Sequence, residues 1–391
     1  MTHPSPETQI AYSPTLSQSV EVPLKIRMFA PYISEQAIAR VIQTLRSNYI
    51  GEGPVVKEFE KTLQQLFGIQ YPVAVNSGTA SLELALDLLE IGPGDEVITT
   101  ALTFMATSHV ILARGAKPIF ADVDYLTGNL SVADIEHRIT AATKAILPVH
   151  WGGYPCDMAE ILDISERHAI PVIEDAAQAL GAQYRGQWIG TLPTLSCFSF
   201  QGIKQVTCGD GGLLSVPDRV QYDSARQRRW FGIDREQRQP TLLGEAHWLV
   251  TEVGYKMHMN DIAASLGVEH LREWSQIADR RQAIVNQYRQ QLEGVAGITL
   301  FENSADRQSA NWLFSIHVHE RRENFVHKLR QLGIEVSVVH LRIDTQPIFG
   351  GTRDDLPNLA QYCETVMALP LHNLLSDEDI ATITTAIRSG W

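Results

Sequence analysis

The hydrophobic pattern at the start of the chain predicts two amphipathic helices. Over residues 33–47 apolar side chains recur three or four positions apart, which is the spacing that collects them on one helical face. The segment Gly-Glu-Gly-Pro at 51–54 interrupts this pattern, because glycine and proline both disfavour the interior of a helix. A second apolar stripe follows at Val56, Phe59, Leu63 and Phe67.

Short apolar runs then alternate with predicted helices. Runs typical of buried strands lie at residues 72–75, 96–99, 118–121, 145–149 and 171–173. Helices are predicted at residues 79–89, 104–113 and 158–168. Fully apolar strands that alternate with helices indicate parallel βαβ units, in a sheet with helices on both faces.

The alternation ends near Gln178, and residues 196–216 are typical of a hairpin-like pair of strands instead. The sheet is therefore predicted to be mixed and mostly parallel. Residues 217–253 are charged and irregular, which indicates a surface excursion.

A smaller α+β unit is predicted in the C-terminal part. Helices are expected at residues 259–271, 273–292 and 322–332, and strands at 298–300, 313–316 and 336–339. We therefore expect a flexible N-terminal tail at 1–24, a large domain at 25–268 and a small domain at 269–391.

Composition excludes several classes of partner. The net charge is −13, from 32 Lys and Arg against 45 Asp and Glu, which argues against nucleic acid or an anionic membrane. No apolar run approaches the roughly 20 residues of a membrane span, and the N-terminus does not resemble a secretory signal. The four cysteines show no CxxC spacing, so they are interpreted as reduced thiols of a cytoplasmic protein without a metal site.

Polar residues follow two of the predicted strands where a helix begins. Ser77, Gly78 and Thr79 offer hydroxyls and free backbone N–H groups at a helix N-terminus, which suits a phosphate but also suits an ordinary N-cap. Phe104 follows a strand that ends near residue 100. Its ring can stack on a planar ligand or simply belong to the core.

Two further strand ends carry charged chemistry. Asp175 follows the run at 171–173, and a buried carboxylate there needs a cationic partner, either an arginine or a protonated ring nitrogen. Ser199 and Lys204 lie between the two strands of the 196–216 pair. Lys204 alone is either a solvated charge or an amine nucleophile toward a carbonyl. Ligands of α/β sheets bind at the carboxyl ends of strands, and together these groups suit pyridoxal 5′-phosphate (PLP).

The chain resembles the sugar-nucleotide aminotransferases of the DegT/DnrJ/StrS group, which are fold type I PLP enzymes. The resemblance runs from about residue 31 to the C-terminus. The segments that carry it are GEGPVVKEFE, NSGTASLELAL, TFMATSHVI, VHWGGYPCDM, IEDAAQALGA, SFQGIKQVTCGDGG, GYKMHMNDIAASLG and ALPLH.

The resemblance implies a role for each candidate. Lys204 corresponds to the lysine that bonds covalently to PLP, and Asp175 to the partner of its pyridine nitrogen. Gln178 corresponds to the residue that approaches the 3′-oxygen, and Phe104 to the stacking ring. The phosphate ligands correspond to Ser77, Gly78, Thr79 and Ser199.

Members of the group are dimers whose active sites lie at the interface. An asparagine from the partner subunit usually contacts the cofactor phosphate, and this chain instead has Lys256 and His258 in the matching motif. A cationic side chain at these positions suits a dianion. The resemblance thus implies a homodimer, in which either Lys256 or His258 of the second copy serves the phosphate or the phosphate is held without the partner.

The implied reaction moves an amino group from L-glutamate to a keto sugar nucleotide, with Lys204 as general base and acid. The presence of Lys204 favours transamination over the dehydration chemistry of group members that carry histidine there. His340, Arg342 and His372 are candidate nucleotide contacts. A keto-cyclitol acceptor and a non-catalytic regulatory protein with this fold are the alternatives.

Overall fold

The computed structural model describes residues 23–391 except 238 and 249. Residues 1–22 of the predicted tail lie outside the described residues. The helices are α1 (Glu35–Arg46), α2 (Pro54–Phe67), α3 (Gly78–Leu88), α4 (Ala106–Ala113), α5 (Val132–Arg138), α6 (Met158–His168), α7 (Arg219–Arg228), α8 (Asp261–Arg272), α9 (Trp274–Leu292), α10 (Arg322–Gln331), α11 (Pro357–Thr365) and α12 (Asp377–Arg388).

The strands are given in chain order. They are β1 (Pro72–Val75), β2 (Glu96–Thr100), β3 (Lys117–Ala121), β4 (Thr143–Ile146), β5 (Ile173–Asp175), β6 (Gln183–Tyr184), β7 (Gln187–Trp188), β8 (Leu195–Ser199), β9 (Gly212–Ser215), β10 (Gln239–Pro240), β11 (Ala246–His247), β12 (Ile298–Leu300), β13 (Arg307–Gln308), β14 (Phe314–Val318) and β15 (Val366–Leu369).

The large sheet has the order β3-β2-β4-β5-β8-β9-β1. Its two halves meet where β4 and the segment after it pair in parallel with β5, at Ile146–Val172 and Val149–Asp175. β9 runs antiparallel to both of its neighbours, and the other strands are parallel to one another. The prediction of a mixed, mostly parallel sheet is therefore confirmed.

Both faces of this sheet are buried under helices. Val73 and Val75 of β1 belong to one apolar cluster, whereas Ala74 between them belongs to the other. Successive side chains of a strand point to opposite faces, so an uninterrupted apolar run is what a doubly covered sheet requires. Hydrophobic burial on both faces fixes the strands whose ends carry the candidate residues.

A second, antiparallel sheet with the order β12-β14-β15 forms in the C-terminal part. Its core includes Tyr288 of α9, Phe325 of α10 and Ile383 of α12. The division of the chain at residues 268 and 269 stays a prediction.

Two predictions about local structure were wrong. Residues 336–339 form no strand, because Val339 adopts a φ of +65° and the His340 N–H donates to the Val338 carbonyl at 2.8 Å, which turns the chain sharply. β15 is the third strand instead. The region 217–253 contains α7, whose N-terminus is capped by Asp218. α7 buries little apolar surface, so its pattern is weak, and α5, α11 and α12 were not predicted.

No helix among residues 23–391, as far as they are described, is long and apolar enough to cross a membrane.

Asp261 of α8 fixes the start of α2 from a distant part of the chain. Its fully buried carboxylate accepts the N–H groups of Gly53, Val55 and Val56 at 2.9, 3.2 and 3.0 Å. These N–H groups have no partner within their own helix, so the carboxylate acts as a long-range cap. The contact joins α2 to α8, which pack together on one face of the large sheet.

We expect Asp261→Ala to lower the free energy of unfolding by about 3 kcal/mol, because it leaves three N–H groups without their acceptor. Asp223→Ala is the matched control, since Asp223 is an exposed aspartate paired with Arg219 on α7. It should change the free energy by no more than about 0.5 kcal/mol. Denaturant unfolding of both variants measures the difference, and equal losses would contradict the capping role.

Candidate active site

The predicted site residues converge at one edge of the large sheet. β1, β2, β5 and β8 all run in the same direction, so their carboxyl ends lie on the same edge. Ser77 follows β1, Phe104 follows β2, Asp175 ends β5 and Lys204 follows β8. This edge is where α/β sheets bind their ligands.

Asp175 is a buried carboxylate without a cation in contact. Its side chain is 5% exposed and accepts hydrogen bonds from the Thr107 hydroxyl at 2.7 Å and the Ala177 N–H at 3.1 Å. Burial raises the pKa of Asp175, and the two hydrogen bonds and the charge of Lys204 only partly oppose it. Within the described residues Asp175 forms no salt bridge. A cation placed at its carboxylate would therefore be strongly favoured.

Lys204 faces the same space. Its ammonium lies 3.9 Å from the centroid of the Trp312 ring and forms no hydrogen bond or ion pair among the described residues. Burial lowers the pKa of Lys204 to about 8, while the nearby charge of Asp175 opposes this effect. About a tenth of the amine is therefore unprotonated at pH 7, and this fraction can act as a nucleophile or base.

Ser77, Gly78 and Ser199 form a narrow cup. The Ser77 hydroxyl caps α3 by accepting the Ala80 N–H at 3.1 Å, so the ordinary N-cap interpretation holds as well. A Cβ on Gly78 would lie 2.8 Å from the Cβ of Ser199, so only glycine fits there. Thr79 is exposed at the start of the helix. The N-terminus of α3 and the hydroxyl-bearing residues Ser77 and Ser199 thus lie together, an arrangement suited to an anion.

Phe104 precedes α4 and lies over this edge of the sheet. Its side chain is 55% exposed, so it does not belong to the core, and its ring centroid lies 5.5 Å from that of His340. The neighbouring Thr103 hydroxyl is 2.7 Å from that of Thr107, which in turn donates to Asp175. The segment 103–107 therefore links the exposed ring of Phe104 to the buried carboxylate.

Gln178 is buried, and its side-chain and backbone carbonyl oxygens both accept hydrogen bonds. Its side-chain oxygen accepts the Gly152 N–H at 2.7 Å, and its backbone carbonyl accepts from the Gln205 amide at 2.9 Å. These contacts fix the side-chain orientation, and the amide NH₂ remains as the donor available to a ligand.

Lys256 and His258 lie beside the end of β1 in their own chain. His258 pairs with Val75, and the Asn76 N–H donates to the carbonyl of Met257 at 2.6 Å. The Lys256 ammonium is 3.4 Å from His258 Nε2. Burial and this charge lower the pKa of His258. Both residues thus lie next to the segment that leads from β1 to Ser77.

The three candidate nucleotide contacts lie in different surroundings. His340 is at the strand-end site, where burial and the charge of Lys204 lower its pKa to about 4. Arg342 pairs with the buried Asp344 and donates to the carbonyl of Arg353. His372 is paired with the carbonyl of Arg27 at 3.1 Å. Only His340 approaches Lys204.

A buried polar pair lies directly beneath the site and was missed by sequence reasoning. His150 Nδ1 accepts the Cys156 N–H, so the ring is neutral and its Nε2–H donates to Glu174 at 2.8 Å. Thr194 and Ser196 also donate to this carboxylate. Burial alone would raise the pKa of Glu174, but these hydrogen bonds outweigh it and lower the pKa.

This pair supports the backbone of Asp175. The His150 N–H donates to the Asp175 carbonyl at 3.2 Å, and Glu174 precedes Asp175 on β5. Thr107 and Trp312 were missed too, because their roles depend on packing rather than on a local pattern. The sequence did contain one indication of this pair. Glu174 is a charged residue within an apolar strand, and a buried carboxylate needs a hydrogen-bonding partner.

Comparisons with known proteins agree with this geometry. The sequence model of the DegT/DnrJ/EryC1/StrS aminotransferase family matches residues 31–388. The spore coat polysaccharide biosynthesis protein SpsC of Bacillus subtilis is 36% identical over 370 residues, which cover 92% of this chain and 95% of SpsC.

Solved structures share the whole fold. The sugar aminotransferase CalS13 from Micromonospora echinospora superposes with a TM-score of 0.88 at 34% identity, covering 94% of this chain and all of CalS13. The PLP-form of Spr1654 from Streptococcus pneumoniae superposes with a TM-score of 0.86 at 29% identity, covering 93% of this chain and 98% of Spr1654. The predicted fold class, that of the PLP-dependent aminotransferases, is confirmed. Its sequence and its fold both place this chain in the DegT/DnrJ/EryC1/StrS aminotransferase family.

Proposed function

We propose that this protein is a PLP-dependent aminotransferase that moves an amino group from L-glutamate to a keto sugar nucleotide, in the biosynthesis of an amino sugar. One observation carries the proposal. A desolvated amine, Lys204, and a buried carboxylate without a cation, Asp175, face the same space at the strand ends. The family membership and the similarity to sugar aminotransferases support the acceptor class.

The residues present fit PLP at its ring. A protonated pyridine nitrogen is the cation that Asp175 lacks, and the carboxylate would keep that nitrogen protonated. Phe104 is exposed on the ligand side and can cover one face of the ring. The free NH₂ of Gln178 is the donor for the 3′-oxygen.

The residues also fit the phosphate. The Ser77 and Ser199 hydroxyls accept hydrogen bonds from Ala80 and Gln201, so the O–H group of each remains available as a donor. Thr79 adds a third hydroxyl at the positive end of α3. A phosphate in this cup gains several donors at once, and Lys256 and His258 are proposed to complete it.

PLP, when bound, supplies an electron sink that weakens the bond to a neighbouring proton. The residues of this chain do the rest. Lys204 would hold the cofactor at its carbonyl carbon and, once released, would take up and return the proton, which a pKa of about 8 allows near neutral pH. Asp175 would hold the charge of the ring nitrogen, while His150 and Glu174 hold Asp175 in place.

A half-reaction assay tests the proposal. L-glutamate should remove the visible absorbance of the enzyme-bound cofactor, and a keto sugar nucleotide should restore it. A keto-inositol should not, and restoration by the keto-inositol alone would contradict the proposed acceptor. Stepwise addition with spectra after each step gives the result.

Lys204→Ala should lower turnover in this assay by about 1000-fold or more, because it removes both the covalent link and the proton carrier. Lys144→Ala is the matched control, since Lys144 is an exposed lysine on β4. Normal turnover of Lys204→Ala would refute the mechanism.

Asp175→Asn should separate function from stability. Turnover should fall by at least about 100-fold, because the amide cannot hold a cationic ring nitrogen. The folded state raises the pKa of Asp175, so its ionised form destabilises the cofactor-free protein above the unfolded pKa. The cofactor-free variant should therefore melt at pH 7 no lower than the wild type. A large drop in melting temperature would indicate a structural role instead.

We also propose a homodimer. Ile38, Ile42 and Leu45 form an exposed apolar stripe on α1, each more than two-fifths exposed, and nothing in the described chain covers it. A second copy would cover such a face. Sedimentation should give twice the monomer mass of 43.5 kDa, and Ile42→Glu should shift it toward the monomer. A monomeric wild type would contradict this.

A further inference from the structure

The ammonium of Lys204 rests on an aromatic face instead of a carboxylate. Its nitrogen lies 3.9 Å from the centroid of the Trp312 ring, well inside the distance at which a cation is attracted to the π-system. Among the described residues this nitrogen forms no hydrogen bond and no salt bridge. The indole is thus the direct contact of the group on which the proposed function depends.

The orientation of the Trp312 ring is fixed by burial, by stacking and by a hydrogen bond. Its side chain is fully buried, and the ring of Phe29 stacks against it with centroids 5.5 Å apart. The indole N–H donates to the carbonyl of Ile203 at 3.1 Å. Ile203 directly precedes Lys204, so the indole binds the backbone of this loop and faces the ammonium at its end.

The rings around this point form a polarisable wall. His340 lies nearly parallel to Trp312, with centroids 6.2 Å apart, and its own ring is neutral at neutral pH. Because the wall carries no formal charge, it attracts the ammonium without forming a strong ion pair. The cation–π contact positions the ammonium, but it is weaker than a strong ion pair, so the ammonium can still leave the ring.

We propose that Trp312 is a positioning residue, which holds the protonated side chain of Lys204 on its indole face whenever the lysine is not bonded to the cofactor. This inference rests on the proposed function of Lys204. In this role Trp312 acts through the lysine, which its indole contacts.

Two effects of the indole on the lysine have opposite signs. The cation–π contact stabilises the ammonium and raises its pKa, whereas the bulk of the indole excludes water and lowers it. The charged and titratable groups that face Lys204 are Asp175, which raises its pKa, and His340, which is neutral above about pH 5. The sign of the change in a Trp312 variant therefore distinguishes positioning from simple shielding.

The test uses the full-length chain without cofactor, so it does not depend on catalysis. The rate at which acetic anhydride acetylates Lys204 is followed by mass spectrometry across about pH 6 to 11, and its midpoint gives the pKa of the amine. The wild type should give a midpoint of about 8. In Trp312→Leu we expect the pKa to fall by about one, a tenfold weaker hold on the proton.

Two further variants complete the design. Trp312→Phe keeps a weaker aromatic face in the same space and should give a pKa between those of the wild type and Trp312→Leu. It also carries the test if Trp312→Leu does not fold. Trp274→Leu removes a tryptophan that packs on Phe67 away from the lysine, and it should leave the pKa unchanged.

A raised or unchanged pKa in Trp312→Leu and Trp312→Phe would overturn the inference, because it would mean that the indole only excludes water. Failure of the proposed function is distinguishable from this result. It would appear as an absence of cofactor bonding in the half-reaction assay, while the acetylation midpoints of the cofactor-free chain would be unaffected.

Discussion

The site depends on the burial of one negative charge, the carboxylate of Asp175, without a cation beside it. Two hydrogen bonds, from Thr107 and Ala177, do not fully offset the cost of burial, so its pKa is raised. Much of the surrounding structure holds this carboxylate in place. The sheet buries both faces of β5, and His150 binds its backbone. A ligand with a cationic ring pairs with the carboxylate and removes the unfavourable free energy of burying it. The free energy that burial costs the ligand-free chain therefore favours binding of the ligand.

Local patterns predicted the residues that follow strands. Asp175, Lys204 and Ser77 each stand where an apolar run ends, and parallel topology then brings such ends together. Trp312 and Thr107 could not be predicted in this way, because their contacts join segments far apart in the sequence. Val339 shows the same limit, since its β-branched side chain favours a strand, yet its φ of +65° turns the chain.

The two parts of the fold supply different chemistry to the site. The large sheet supplies the charged groups and the anion cup, whose positions follow from regular strand ends. Trp312 precedes β14 and His340 follows the sharp turn at Val339, so the aromatic wall comes from the C-terminal part. Charged groups and aromatic rings are thus supplied to the site by different segments of the chain.

We propose Lys204 as the residue that bonds to PLP. The most direct measurement reduces the PLP-loaded protein with borohydride, digests it and locates the pyridoxyl group by mass spectrometry. We expect a single modified peptide that contains Lys204, between Ser199 and Gly212. A pyridoxyl group on another lysine, or none after loading with PLP, would contradict it.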